Sequence, residues 1–169
     1  MKSKFLIFAC TIWLFLSVNG CGVNRYYIVR HADRFEYADS LTESGFVRAE
    51  ILKDSLRHKH INIIYSTDTR RTRLTAKPVS DLFHLPVILY TSDTMELFVN
   101  QLKNLPGKNV LIVGHSNTVD DITNLLYGEA VVPADLNFTE YDNLFYVQRR
   151  RGNHPRSVFK NYIYGPVTE

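Results

Sequence analysis

Two histidines in this chain follow apolar segments that have the character of buried strands. His31 ends the run Tyr26–His31, and His115 follows the run Val110–Gly114. Ligands of open α/β sheets bind beyond the carboxyl ends of the strands, so histidines at two such ends are expected to share a site. A neutral imidazole can attack phosphorus, forming a phosphohistidine that water later hydrolyses. Packing alone does not require this pattern, and we predict a phosphate pocket.

Basic residues accompany both the first histidine and a third segment. Arg30 precedes His31, and its planar guanidinium could clamp two phosphate oxygens, with a protonated His115 as another donor. The segment Ser66–Ala76 lies at a strand-to-helix junction, where backbone amides and a first-turn arginine favour anions. This segment could also be a solvated basic helix face. A nucleic-acid patch is disfavoured because no aromatic residues interleave with the arginines.

Alternating strand and helix patterns must position these residues. They predict an α/β three-layer sandwich, with a mostly parallel central sheet flanked by helices and a C-terminal hairpin at the sheet edge. No internal repeat interrupts the pattern. The predicted strands are about 26–29, 61–65, 86–90 and 109–113, and the hairpin strands are 144–148 and 158–164, joined through the basic residues 149–155.

Helix boundaries follow from capping residues and apolar spacing. Ser40–Glu43 fits a capping box, and the helix after it, to about His58, is expected to bury Phe46, Ala49, Leu52 and Leu56. Further helices are predicted over about 70–83, 94–105 and 118–127. Pro78 is expected to kink the helix 70–83 or to end it early. Leu97 is expected on the apolar face of the helix 94–105.

Length and composition indicate one domain preceded by an export signal. The chain has 169 residues, of which 45% are hydrophobic, enough for a single core. Lys2 and Lys4 precede the apolar stretch Phe5–Leu16, which has the length of a signal h-region rather than a membrane span. Without those two lysines, the chain has 18 basic and 17 acidic residues. A net charge this close to zero gives no general electrostatic attraction to nucleic acid.

The cysteines favour a lipoprotein. The segment ends Leu16-Ser17-Val18-Asn19-Gly20-Cys21, which resembles a bacterial lipobox cleaved before Cys21. We therefore expect residues 1–20 to be a lipoprotein-type signal peptide, and residues 21–169 to form an exported domain anchored in the cell envelope by lipid on Cys21. Plain secretion and an uncleaved anchor are the alternatives. Removal of Cys10 with the signal would leave one cysteine, and lipidation gives it a role.

Four sequence blocks in order resemble the histidine phosphatase superfamily, the phosphoglycerate-mutase-like proteins. They are Arg30-His31-Ala32, the stretch Leu41–Ala49, Ser66 with Arg71–Ala76, and Gly114–Thr118. The resemblance implies that His31 is the phosphorylated nucleophile, that Arg30 and Arg71 bind phosphate, and that His115 and Asn117 complete the pocket. It implies no metal and no cofactor.

The resemblance leaves the proton donor open. Ala32 stands where the motif that names the family has glycine, but alanine occurs at this position in many short members, so it does not indicate inactivity. The general acid of the family corresponds best to Glu96 or Asp93, with Asp33 and Glu36 as other candidates, and Asp93 could equally cap a helix.

The expected function is a metal-independent phosphatase acting on a small phosphorylated substrate, of the acid-phosphatase type of monoester hydrolase. A weak or absent acid would favour acyl phosphates, phosphohistidines or aryl phosphates. The alternative is a non-catalytic phosphate-binding lipoprotein of the same fold. A mutase is disfavoured because the short chain has little room for the insertions that reorient a substrate.

Overall fold

The structure is a computed structural model that describes residues 22–133, 135–150 and 157–168. The predicted signal segment 1–20, the lipidation candidate Cys21 and residues 151–156 of the predicted hairpin connection lie outside these ranges. Within the described ranges, none of the helices has the length and apolar character needed to cross a membrane.

Along the described residues, six strands and four helices follow one another, with a single 3-10 turn at Ser92–Thr94. In chain order they are β1 (Val23–Arg30), α1 (Glu43–Leu56), β2 (Ile63–Thr67), α2 (Arg70–Phe83), β3 (Val87–Tyr90), α3 (Met95–Lys103), β4 (Asn109–Gly114), α4 (Val119–Tyr127), β5 (Asn143–Arg150) and β6 (Ser157–Ile163).

The strands form one sheet in the order β3-β2-β4-β1-β5-β6. The first four strands in this order are parallel, whereas β5 runs antiparallel to β1 and β6 runs antiparallel to β5. The predicted α/β class, the mostly parallel sheet and the C-terminal hairpin at its edge are confirmed. The first strand of the chain therefore lies in the middle of the sheet, between β4 and β5.

Helices cover both faces of this sheet. Side chains alternate between the faces of a strand, so Tyr26 and Ile28 of β1 pack in a core with α3 and α4, while Tyr27 and Val29 pack in a second core with α1 and α2. In β4, Val110 and Ile112 join the first core and their neighbours join the second. The three predicted layers follow from this alternation.

The first helix begins later than the capping box suggested. Thr42, not Ser40, is the N-cap, and its hydroxyl oxygen accepts a hydrogen bond from the Gly45 N–H at 3.1 Å. The buried face of α1 includes Gly45, Ala49 and Leu52. Phe46 lies beside this face with its side chain 47% exposed, so the prediction of its burial was wrong. Arg48 is buried in its place.

Two other helix expectations differ from the structure. Helix α2 runs without a break past Pro78, because Thr75, Ala76 and Val79 around it are buried and their packing outweighs one lost hydrogen bond. Helix α3 starts at Met95 and buries Phe98, Val99 and Leu102, which leaves Leu97 on the solvent side.

Candidate active site

The pairing of β1 with β4 brings the two strand-end histidines together. Arg30 lies opposite Gly114 in this parallel pair, so His31 and His115 both follow their strands at the same edge. The His31 N–H donates to the Gly114 carbonyl at 2.9 Å, and the two imidazole rings meet edge to face with centroids 5.5 Å apart. Two distant parts of the sequence therefore share one pocket.

The His31 ring is oriented by its neighbour Ala32. Its Nδ1 lies 2.8 Å from the Ala32 carbonyl oxygen, which can only accept, so we assign the proton to Nδ1 and the free lone pair to Nε2. Burial, together with the charges of Arg30 and Arg71 and against the opposing effect of the hydrogen bond to Ala32, lowers the pKa of His31 to about 3. His31 is therefore neutral over the physiological range, the state in which imidazole is a nucleophile.

Arg30 is held by the loop before β5. One terminal nitrogen, Nη1, donates to the carbonyl oxygens of Asn137 at 2.8 Å and Glu140 at 3.0 Å. The guanidinium carbon lies 4.2 Å from the centre of the Tyr141 ring, whose centroid is also 5.8 Å from that of His31. The loop thus fixes a cation beside His31.

Arg71 links the second histidine to a carboxylate. Its Nη1 donates to Asp39 at 2.8 Å, and its Nη2 lies 3.3 Å from His115 Nδ1. Arginine can only donate, so His115 Nδ1 accepts and its proton sits on Nε2, which donates to the Thr67 hydroxyl oxygen at 2.9 Å. Burial, with Arg71 and Arg30, lowers the pKa of His115 to about 4, against the opposing effect of Asp39. His115 is therefore a neutral partner here, not the cationic donor considered from sequence.

Asp39 occupies the helix terminus that the sequence offered to a substrate anion. Its carboxylate accepts from the N–H groups of Arg70 at 2.8 Å and Arg71 at 3.2 Å, at the start of α2. Burial raises the pKa of Asp39, but these two hydrogen bonds and the Arg71 guanidinium hold it below its usual value. Asp39 was missed because 31 residues separate it from Arg70, and no local pattern predicts that approach.

We call Arg30, His31, Arg71 and His115 the quartet. Each of the two arginines has a buried Nε–H that lacks a hydrogen-bond partner among the described residues. Unpaired buried donors are costly, and the oxygens of a phosphate group are suitable acceptors for them. The quartet can thus offer a nucleophilic nitrogen surrounded by donors to a phosphoryl group.

Thr75 connects the first and third sequence blocks. Its hydroxyl oxygen accepts from the Ala32 N–H at 2.9 Å and its hydroxyl donates to the Arg71 carbonyl at 2.8 Å. Thr118 has a comparable role beside the second histidine, since its hydroxyl oxygen accepts from the His115 N–H at 2.9 Å. Both threonines were part of the quoted blocks, but their function in positioning backbone was not predicted.

The predicted acids lie away from these contacts. Glu96 is exposed in the first turn of α3, and Asp93 and Glu36 are exposed. Asp33 forms an ion pair with buried Arg48 at 2.6 Å. In the described part of the chain, no hydrogen bond or ion pair joins any of these four carboxylates to the quartet.

Asn117 also stays outside the hydrogen-bond network of the quartet. Its side chain is exposed, and no hydrogen bond links it to the quartet within the described ranges. Nor do the described residues hold a group of three or more His, Cys, Asp and Glu side chains arranged for a metal ion.

The model of the histidine phosphatase superfamily (branch 1) matches residues 26–92 of this chain. This match supports the resemblance to the histidine phosphatase superfamily over the residues that it covers. The match includes Arg30, His31 and Arg71, and His115 lies beyond it in sequence but beside them in space.

Solved structures share the fold of this chain. Mycobacterial glucosyl-3-phosphoglycerate phosphatase Rv2419c is 14% identical, with a TM-score of 0.63 over 85% of this chain and 100% of that chain. A phosphoglycerate mutase from Plasmodium falciparum is 20% identical, with a TM-score of 0.61 over 88% and 94%. A protein from Agrobacterium tumefaciens, assigned as the phosphohistidine phosphatase SixA, is 21% identical, with a TM-score of 0.56 over 78% and 96%. No curated protein sequence matches significantly.

Proposed function

We propose that this protein is a phosphatase that hydrolyses a small phosphorylated substrate through a phosphohistidine on His31, without a metal. The observation that carries the proposal is a neutral His31, with Nε2 free, among Arg30, Arg71 and His115. The superfamily match and the phosphatases among the structural neighbours support it.

The reaction has two displacement steps. In the first, the lone pair of His31 Nε2 forms a bond to phosphorus, and the bond from phosphorus to the leaving group breaks with its electron pair. In the second, a water oxygen attacks phosphorus, the phosphorus–nitrogen bond breaks, and the water gives up a proton to the medium. Arg30 and Arg71 stabilise the charge on the phosphoryl oxygens in both steps.

The carboxylate contacts suggest the class of substrate. Within the described ranges, Asp39 is the carboxylate bonded to a member of the quartet, and its lowered pKa keeps it ionised rather than ready to donate a proton. A reaction without a strong general acid needs a leaving group that departs easily. We therefore propose acyl phosphates, phosphohistidines or aryl phosphates as substrates.

An aryl phosphate assay in the presence of a chelator tests this proposal. Wild type should turn the substrate over, His31→Ala should lose activity at least a thousandfold, and the exposed His58→Ala should act as wild type. The rates of wild type should also rise steeply as the pKa of the leaving phenol falls. Full activity of His31→Ala, with its fold confirmed by circular dichroism, would contradict the proposal.

Among the described residues, no carboxylic acid that could donate a proton is bonded to the quartet, which also favours a second candidate, a phosphate-binding protein without turnover. This protein would bind phosphate or vanadate, measured by calorimetry, and would release no product from any phosphoester in the panel. Binding should still require Arg30 and Arg71, because these residues supply the donors.

We further propose that the domain is exported and anchored by lipid on Cys21. Only Gly22 separates Cys21 from β1, so the domain would lie close to the membrane. Palmitate labelling of wild type and Cys21→Ser tests this, and equal labelling of the two proteins would reject the lipid anchor.

A further inference from the structure

A second concavity lies on the sheet face beside α1, over β1, β5 and β6. Its volume is about 750 Å³, within the range of small-molecule sites. No member of the quartet is among its described lining residues, so it is separate from the candidate active site. We call this concavity the trough.

Cross-strand rows build the floor of the trough. Residues directly opposite each other in a sheet point to the same face, and so do residues two apart along a strand. The register gives three such rows, Arg25-Gln148-Val158, Tyr27-Tyr146-Lys160 and Val29-Leu144-Tyr162. Neighbouring tyrosine rings have centroids 5.3 Å and 6.3 Å apart.

The described lining of the trough is cationic. Arg25 and Lys160 belong to the floor. Lys59, with His58 and His60, belongs to the wall formed by the residues that follow α1. Within the described ranges, none of these three cations forms an ion pair with a carboxylate. No Asp or Glu is among the described residues that line the trough. The described lining therefore does not neutralise the positive charge of the trough, and an anionic ligand would balance it.

Apolar and aromatic groups accompany these charges. Val158 is 41% exposed and Tyr162 45% exposed along the open side. The Tyr146 hydroxyl donates to Gln148 Oε1 at 3.0 Å, which fixes this ring in the centre of the floor. Burial raises the pKa of Tyr146, and Arg25 and Lys160 oppose that rise, as expected for cations near its hydroxyl. A ligand with both an anionic group and an apolar body would match this lining.

We propose that the trough is a second ligand site, which binds an amphiphilic anion: a phosphate, sulfonate or carboxylate joined to an aromatic ring or an acyl chain. Arg25 and Lys160 bind the anionic group, and Tyr146 and Tyr162 contact the apolar body. A soluble metabolite and a phospholipid head group share this chemistry. Arg25 lies two residues after the start of β1 at Val23, so a lipid on Cys21 would bring the trough close to head groups. The proposal does not depend on phosphatase activity.

Fluorescence titration of the full chain with anilinonaphthalene sulfonate tests the site. This probe is a sulfonate on an aromatic body and fluoresces when it leaves water. The double variant Arg25→Gln/Lys160→Gln should bind it about tenfold more weakly, and Tyr162→Ala should also weaken binding. Lys77→Gln is the matched control, because Lys77 is exposed on α2 and paired with Asp81. All variants should keep wild-type unfolding midpoints.

Competition then distinguishes the ligand source and the two sites. Naphthyl phosphate should displace the probe and neutral naphthol should not, while vanadate, directed at the quartet, should leave it bound. Greater binding of wild type than of the double variant to phosphatidylglycerol vesicles, with no such difference on phosphatidylcholine, would identify a lipid as the source. Displacement by naphthyl phosphate without that difference would identify a soluble ligand. Equal probe affinity of wild type and the double variant would overturn the proposal.

Discussion

The buried neutral state of His31 should make the protein sensitive to acid. The folded-state pKa of about 3 lies below the ordinary value of 6.5, so on acidification the unfolded chain takes up the proton first. A group of this kind lowers the free energy of unfolding as pH falls from about 6.5 toward 3, and has no effect well above 6.5. His115, with a pKa of about 4, acts in the same direction.

The size of the effect follows from the two pKa values. At pH 5, proton uptake by the unfolded chain at His31 alone costs about 2 kcal/mol of stability relative to pH 8. In His31→Asn this loss disappears, and the asparagine amide can still donate to the Ala32 carbonyl. The free energy of unfolding of this variant should therefore fall by about 2 kcal/mol less than that of wild type between pH 8 and pH 5.

Urea denaturation at the two pH values measures this difference. His58→Asn is the control, because it removes the same residue type from an exposed position and leaves His31 in place. The expected result is a smaller acid loss in His31→Asn than in both wild type and the control. Equal losses in all three proteins would refute the idea that His31 is held neutral by burial.

Three further substitutions test the site and its support. Asp39→Asn should lower kcat/KM for an aryl phosphate about tenfold, because Arg71 loses the carboxylate that holds it. The control Asp68→Asn removes the ion pair of Arg73 on the same helix and should leave kcat/KM unchanged. Equal kcat/KM values for the two variants would reject the positioning role of Asp39. Gly45→Ala places a Cβ 2.0 Å from the Asp33 carbonyl oxygen and should cost about 3 kcal/mol in urea denaturation. Arg48→Met leaves the Asp33 carboxylate without its partner and should cost a similar amount, about 3 kcal/mol, so an unchanged midpoint would contradict that account.

The sheet was predictable because its strands carry long apolar runs. Segments such as Val110–Val113 are buried on both faces and therefore apolar throughout, which a sequence displays directly. The position of His31 and His115 at strand ends then followed from the rule for ligand sites in such sheets. The sequence blocks also identified Arg71 within a run of several arginines.

The contacts of the site loops were less predictable, since they join residues that are distant in sequence. Asp39 reaches the start of α2 across 31 residues, and the carbonyls that hold Arg30 come from residues more than a hundred positions later. The first helix was misplaced for a local reason, because Ser40 and Thr42 are both acceptable caps. In the structure, Arg48 of this helix pairs with Asp33 and donates hydrogen bonds to the carbonyl oxygens of Tyr164 and Pro166. No local sequence pattern predicts these contacts.

The central position of β1 has a consequence for how the chain must fold. The residues that pair with β1 follow it in sequence by about eighty residues in β4 and by more than a hundred in β5. Such non-local pairing gives the domain a high contact order, and it folds more slowly than a protein built from local contacts. During synthesis, an apolar segment stays exposed and His31 has no pocket until residue 115 has emerged. A nascent fragment that ends before β4 should therefore expose this apolar segment to solvent and depend on chaperones.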